Sequence, residues 1–256
     1  MPSQGSRRLV SSKWGSGAVL DRAGAAEHMN HLNSCSGRNR QLPLDQHAAA
    51  LPHRLRDTLA DPMVLRERAA ARGAPHMPPL NRFVATLRER HGAVPDVDPF
   101  DGGVAARLLL LLETPAPGAE PLRFVSRDNP TGTAANLRRF FAAAGIARAD
   151  TVIWNTVPHV IHAAGARNRA PRRAEVAAGL AELPRLLALL PRLAVAVLAG
   201  RVAAEARSPI EAMLPGLPVL EMPHPSPTFV CTSPAVPATI TRALAQAAAV
   251  LAASPP

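Results

Sequence analysis

Three short segments carry side chains that could do chemistry together. His224 lies in Pro223-His224-Pro225-Ser226-Pro227, where every second residue is proline. Proline fixes its own φ and restricts the residue before it, so this loop is stiff. A stiff loop holds an imidazole in one place, ready to stabilise charge that develops on a leaving group. Asn155 offers a donor and an acceptor from one amide, which suits reading the edge of a base. The plain alternative for Asn155 is a turn former after a strand. Glu113 and Thr114 can position a water, although Glu113 also fits a solvated strand end. A rigid imidazole, a base-reading amide and a water site are the parts needed to hydrolyse an N-glycosidic bond.

Something must bring these segments together, because they are spread over more than 100 residues. The run 107–113, with five consecutive leucines, reads as a parallel strand buried on both faces. It ends in Thr114-Pro115-Ala116-Pro117-Gly118, which continues neither strand nor helix. Residues 151–154, 194–198 and 218–221 read as three further strands. Between them lie helical stretches: 133–144 closed by Gly145, 172–190 with a kink expected at Pro184, and a short helix opened by Gly200. A proline-rich loop covers 223–234 and a last helix 235–252. Alternating strands and helices predict an α/β fold, a three-layer α/β/α with a short, mostly parallel central sheet. Ligands in such sheets bind beyond the carboxyl ends of the strands. Segments 113–118, 155–159 and 222–228 all fall there, so they should converge on one pocket.

Upstream the texture differs. Residues 1–45 are rich in Ser, Gly, Arg and Asn without apolar period, and read as a disordered tail or a mis-started one, with Met29 as a later initiator. The domain then spans 46–256, with N-terminal helices over 46–92 and an α/β core over 104–252. Residues 46–73 read as helical with a break near Pro62. Pro75, Pro78 and Pro79 read as a linker, and 80–91 as a second helix with Leu80, Phe83, Val84 and Leu87 on one face.

Hydrophobic residues make up 47% of the 256-residue chain, enough for a core, but aromatics only 3%, so Leu, Val and Ala must build it. The net charge of +10 suits a polyanionic partner, yet it is spread along the chain. Arg138, Arg139, Arg167, Arg169, Arg172 and Arg173 either track phosphates or form a solvated face. Two cysteines, Cys35 and Cys231, support neither a four-cysteine cluster nor a secreted disulfide scaffold. His159 and His162 lack a third ligand nearby, so no metal is expected. The most apolar stretch, 186–200, is interrupted by Pro191 and Arg192, which argues against a membrane span. Without a signal-peptide pattern, a cytoplasmic location is expected.

The motifs, taken in order, resemble those of the uracil-DNA glycosylase superfamily. His224-Pro225-Ser226-Pro227 matches its HPSP-type second motif, and Leu112-Glu113-Thr114-Pro115-Ala116 resembles its GEAPG-type first motif. Arg123-Phe124-Val125-Ser126-Arg127 resembles the FVGR-like stretch, and Asn155 stands where the family has its base-reading Asn. Leu112 and Ala116 replace the two glycines of the first motif, and the four cysteines of the iron–sulfur branch are missing.

The resemblance implies a role for each residue. Phe124 would stack on a flipped base whose edge Asn155 reads, with Pro115 beside it. His224 would stabilise the leaving base, and Glu113 or Thr114 would hold the attacking water. Ser226, Pro225, Pro227, Thr228 and Arg127 would contact DNA, with the 227–229 segment wedging the duplex. Base flipping is implied because the reactive bond is otherwise inaccessible. The implied protein is a monomeric, monofunctional glycosylase of base excision repair that acts on uracil or a related deaminated base in DNA, with no cofactor. A catalytically weak protein of the same fold, binding nucleic acid or damaged bases without turnover, is the alternative.

Overall fold

A computed structural model describes residues 57–254, apart from 119, 121, 164, 165, 167 and 168. The tail expected over 1–45, the first part of the 46–73 helix and Arg167 lie outside the described residues.

Helix α1 (Pro62–Ala70) begins where a break was expected. Asp61 caps it by accepting the Met63 N–H at 2.8 Å, and Pro62 occupies the first turn, where its missing N–H costs nothing. Pro78 and Pro79 do the same for α2 (Pro78–His91), so the expected linker is a helix start. Gly92, at φ 81°, ends α2. Strand β1 (Asp96–Val97) is only two residues long, and so is β3 (Phe124–Val125), its parallel partner. The principal sheet contains β2 (Leu108–Leu112), β4 (Thr151–Asn155), β5 (Val195–Ala199) and β6 (Val219–Met222). Its four strands are parallel in the order β4-β2-β5-β6.

Connections between parallel strands are right-handed, and that decides which face each helix covers. The step from β2 to β4 runs one way through α3 (Gly132–Ala143), and the step back to β5 runs the other way through α4 (Arg173–Leu187). The two helices therefore lie on opposite faces. Pro184 sits inside α4 without ending it. The short α5 (Arg201–Ala204) and α6 (Arg207–Met213) continue in the direction of α4, and α6 packs against it. A short helix, α7 (Pro227–Val230), interrupts the expected proline-rich loop, and α8 (Ala235–Ala253) returns to pack on β5, β6 and α3. The result is the three-layer α/β/α architecture.

Leu108, Leu109 and Leu110 are fully buried, as the unbroken apolar run requires. Each such leucine contributes roughly 1.5–3 kcal/mol of burial. The apolar 186–200 stretch is divided between the end of α4 and strand β5, and the longest apolar helix is α8. By length and composition α8 alone among the described helices could cross a membrane, but Ile240, Ala243, Leu244, Ala247 and Leu251 are buried in this core.

Candidate active site

Parallel strands put every carboxyl end at one edge. Leu112 is in register with Asn155, and Ala199 with Met222. The segments beginning at Glu113, Thr156, Gly200 and Pro223 therefore leave the sheet side by side. Backbone bonds tie them: Thr156 N–H donates to the Leu112 carbonyl at 2.9 Å, Val157 N–H to that of Glu113 at 3.0 Å, and Gly200 N–H to that of Met222 at 2.9 Å.

The proline loop is built for a fixed imidazole. The Ser226 N–H donates to His224 Nδ1 at 3.2 Å. Nδ1 is thus the lone-pair nitrogen, and the neutral ring carries its proton on Nε2. Burial holds the His224 pKa below the ordinary imidazole value, so the ring is neutral at pH 7. The rest of the fold fixes the loop from three sides. Asn136 of α3 donates to the Pro225 carbonyl at 2.9 Å. A Cβ at Gly132 would overlap the Pro227 ring, so only glycine lets the loop lie against α3. Gly200 has φ +91°, and a Cβ there would stand 3.1 Å from the His224 Cβ. Neither Asn136 nor Gly132 was singled out from sequence, and Gly200 was read only as a helix opener. Their partners are tens of residues away, and a Thr-Gly or Ala-Gly pair alone signals only a helix end or turn.

Asn155 is buried, 4% exposed, and its side-chain amide has no hydrogen-bond partner among the described residues. Buried polar groups are normally paired, so this amide is available to a ligand or a water. Glu113 and Thr114 are half-buried and Pro115 buried. Burial pushes the Glu113 carboxyl pKa upward, and the nearby Arg201 charge opposes that push. Arg123 braces the first loop, donating to the carbonyls of Ala116 at 2.5 Å and Gly118 at 3.2 Å. Phe124, next to that brace, is 3% exposed and lies outside the main core cluster.

The outer surface of the loop is Pro227, Thr228 and Phe229, all exposed. Ser226 Oγ lies 3.0 Å from Thr228 Oγ1, and the Phe229 ring tilts over His224 at 6.5 Å. Two residues expected on DNA are placed elsewhere. Pro225 is buried beneath the loop, its carbonyl engaged by Asn136. Arg127 is 6% exposed, bonded to the Thr151 hydroxyl at the amino end of β4, 3.7 Å from Asp101 and 4.4 Å over the Phe141 ring. It serves the opposite edge of the sheet and cannot reach a phosphate. Of the candidate phosphate-tracking arginines, Arg169 is engaged by Glu175 at 2.6 and 2.8 Å.

A small cavity of about 10 Å³ lies beside Asn155, among Phe83, Trp154, Gly179 and Leu183. Neither Glu113 nor His224 lines it, so it is not where the three loops meet. No group of three His, Cys, Asp or Glu among the described residues could hold a metal. His159 instead stacks on His91 at 5.1 Å.

A family model for the uracil DNA glycosylase superfamily matches residues 100–248, more than half of the chain. Among curated proteins, none matches.

Proposed function

The chain belongs to the uracil DNA glycosylase superfamily, and on that premise we propose that it hydrolyses the N-glycosidic bond of uracil or a related deaminated base in DNA. The observation that carries this reading is the shared sheet edge, where a neutral imidazole with its proton on Nε2 stands beside loops bearing an unpartnered Asn155 amide and the Glu113 carboxyl.

The chemistry follows from those groups. The flipped base rests on Phe124, beside Pro115, with its edge read by Asn155. As the bond to the sugar breaks, its electron pair passes to the base. His224 Nε2–H donates to the developing anion, a role that needs a fixed donor and not a proton transfer. A water held by Glu113 or Thr114 attacks the sugar carbon on the face opposite the departing base, and the proton it loses passes through Glu113 or solvent and is balanced by protonation of the base anion. The products are a free base and an abasic site, with no covalent intermediate. Ser226 and the exposed tip Pro227, Thr228 and Phe229 face the duplex. The enzyme acts as a monomer in the cytoplasm and needs no metal.

The test is a labelled oligonucleotide with one uracil, incubated in EDTA and then treated with alkali to cut abasic sites. Cleavage at the uracil is expected, and His224→Ala should lower it about 10²–10³-fold with folding intact. Undiminished cleavage by His224→Ala would sink the mechanism. The altered first motif, with Leu112, Thr114 and Ala116, favours a second reading in which water activation is weak. Retention of the uracil oligonucleotide without abasic product would select that binding role.

A further inference from the structure

The rim of the site holds a cation outside the motifs. Arg201 opens α5 directly after Gly200. Strands β2 and β5 are parallel neighbours, in register up to Leu111 opposite Leu198, so the segments carrying Glu113 and Arg201 leave adjacent strands at the same edge of the sheet. This is also where the crossovers leave in opposite directions, the point at which a crevice opens in an α/β sheet. Arg201 is exposed and enters none of the ion pairs formed among the described residues, unlike Arg207 six positions on, which pairs with Glu211 and Glu221. Its charge nevertheless acts on Glu113.

We propose that Arg201 is a positioning residue of this site, whose guanidinium keeps the Glu113 carboxylate charged and directed at the attacking water. The role in reaction rests on the glycosylase reading; the pairing itself does not. A half-buried carboxylate loses hydration, which favours its protonated form, and a protonated carboxyl accepts poorly from a water it must orient. An opposite charge across the crevice opposes that shift toward the protonated form. Because Arg201 is solvated, the effect is modest. Other charged or titratable groups around the first loop are Arg123, bonded to its carbonyls, and His162, which lies against the Pro115 carbonyl. His224 leaves the sheet from β6, beyond β5.

Carboxyl-carbon NMR titration of the full chain tests the pair, with Glu113→Gln assigning the signal. Replacing Arg201 by Gln should move the Glu113 titration to higher pH, and Arg201→Lys should leave it near the wild-type position. An unchanged midpoint in Arg201→Gln overturns the proposal. In the uracil assay, Arg201→Gln should lose about two- to fourfold in kcat/KM on the acid side, the size expected of a solvated charge pair, and recover at alkaline pH. A loss equal at every pH, with a shallower salt dependence, would mark a phosphate contact and overturn it as well. If the wild-type chain releases no base, the titration still decides the pair while the glycosylase reading fails.

Discussion

The donor role proposed for His224 requires that Nδ1 stay a lone-pair acceptor for the Ser226 N–H. Protonation of the ring would turn that acceptor into a donor facing a donor. Burial lowers the folded-state pKa below the unfolded value, about 6.5. Between the two values the unfolded chain binds more protons, so this contribution to stability is complete above the unfolded value and is lost as pH falls through the folded one. Urea unfolding near pH 7 and pH 5 should show that slope, and His224→Asn should reduce it. The placement of three candidate residues was legible in sequence because each ends or follows a strand-like run: His224, Asn155 and Glu113 stand at this sheet edge, and Phe124 lies in β3. Arg127 was misread because an arginine after Phe-Val-Ser looks like a phosphate ligand until its partners, Asp101, Thr151 and Phe141, come from other parts of the chain.

Helix α3 is the element that aims the proline loop, through Asn136 and the space at Gly132. Removing one such bond to a carbonyl costs about 1 kcal/mol, yet it frees the loop that carries the imidazole. Asn136→Ala should therefore lower base release more than that stability loss implies; a melting curve beside the uracil assay separates the two. Gly132→Ala should act the same way by pushing Pro227 outward. Long elements were readable because the period of their apolar residues is a property of the segment alone. Prolines were ambiguous for the opposite reason. Pro62, Pro78 and Pro79 look like breaks in sequence, but become helix starts when the preceding residues are free to turn. The two-residue strands β1 and β3 are too short to show any period, and only their mutual pairing defines them.

Across the molecule, a buried ionic cluster joins parts that the sheet does not. Arg68 of α1 bonds to Asp98 and, at 2.8 Å, to Asp128, while Arg148 reaches Asp98 and Asp128 at 2.6 Å and Asp101 at 3.0 Å. Truncating Arg68 would leave Arg148 as the remaining partner of Asp98 and Asp128, and Arg68→Ala should cost up to about 3 kcal/mol, the low end for breaking a buried pair, measured by denaturant unfolding. Burial raises the Asp101 pKa to about 7, against the pull of Arg127 and Arg148. A raised carboxyl binds more protons folded than unfolded, so its contribution is complete below the unfolded value and is lost as pH rises through the folded one. Stability from this group should fall between about pH 4 and 7, and Asp101→Asn should flatten that decline. The strand order has a consequence for how the protein is made. Glu113 and Asn155 emerge early during synthesis, but His224 follows the edge strand β6, which docks on β5 only after residue 222 has been added. Domains tend to fold from the N-terminal side as they emerge. The nascent chain can therefore assemble much of its core while it still lacks the proposed donor, and on that reading a chain stopped before β6 releases no base from DNA.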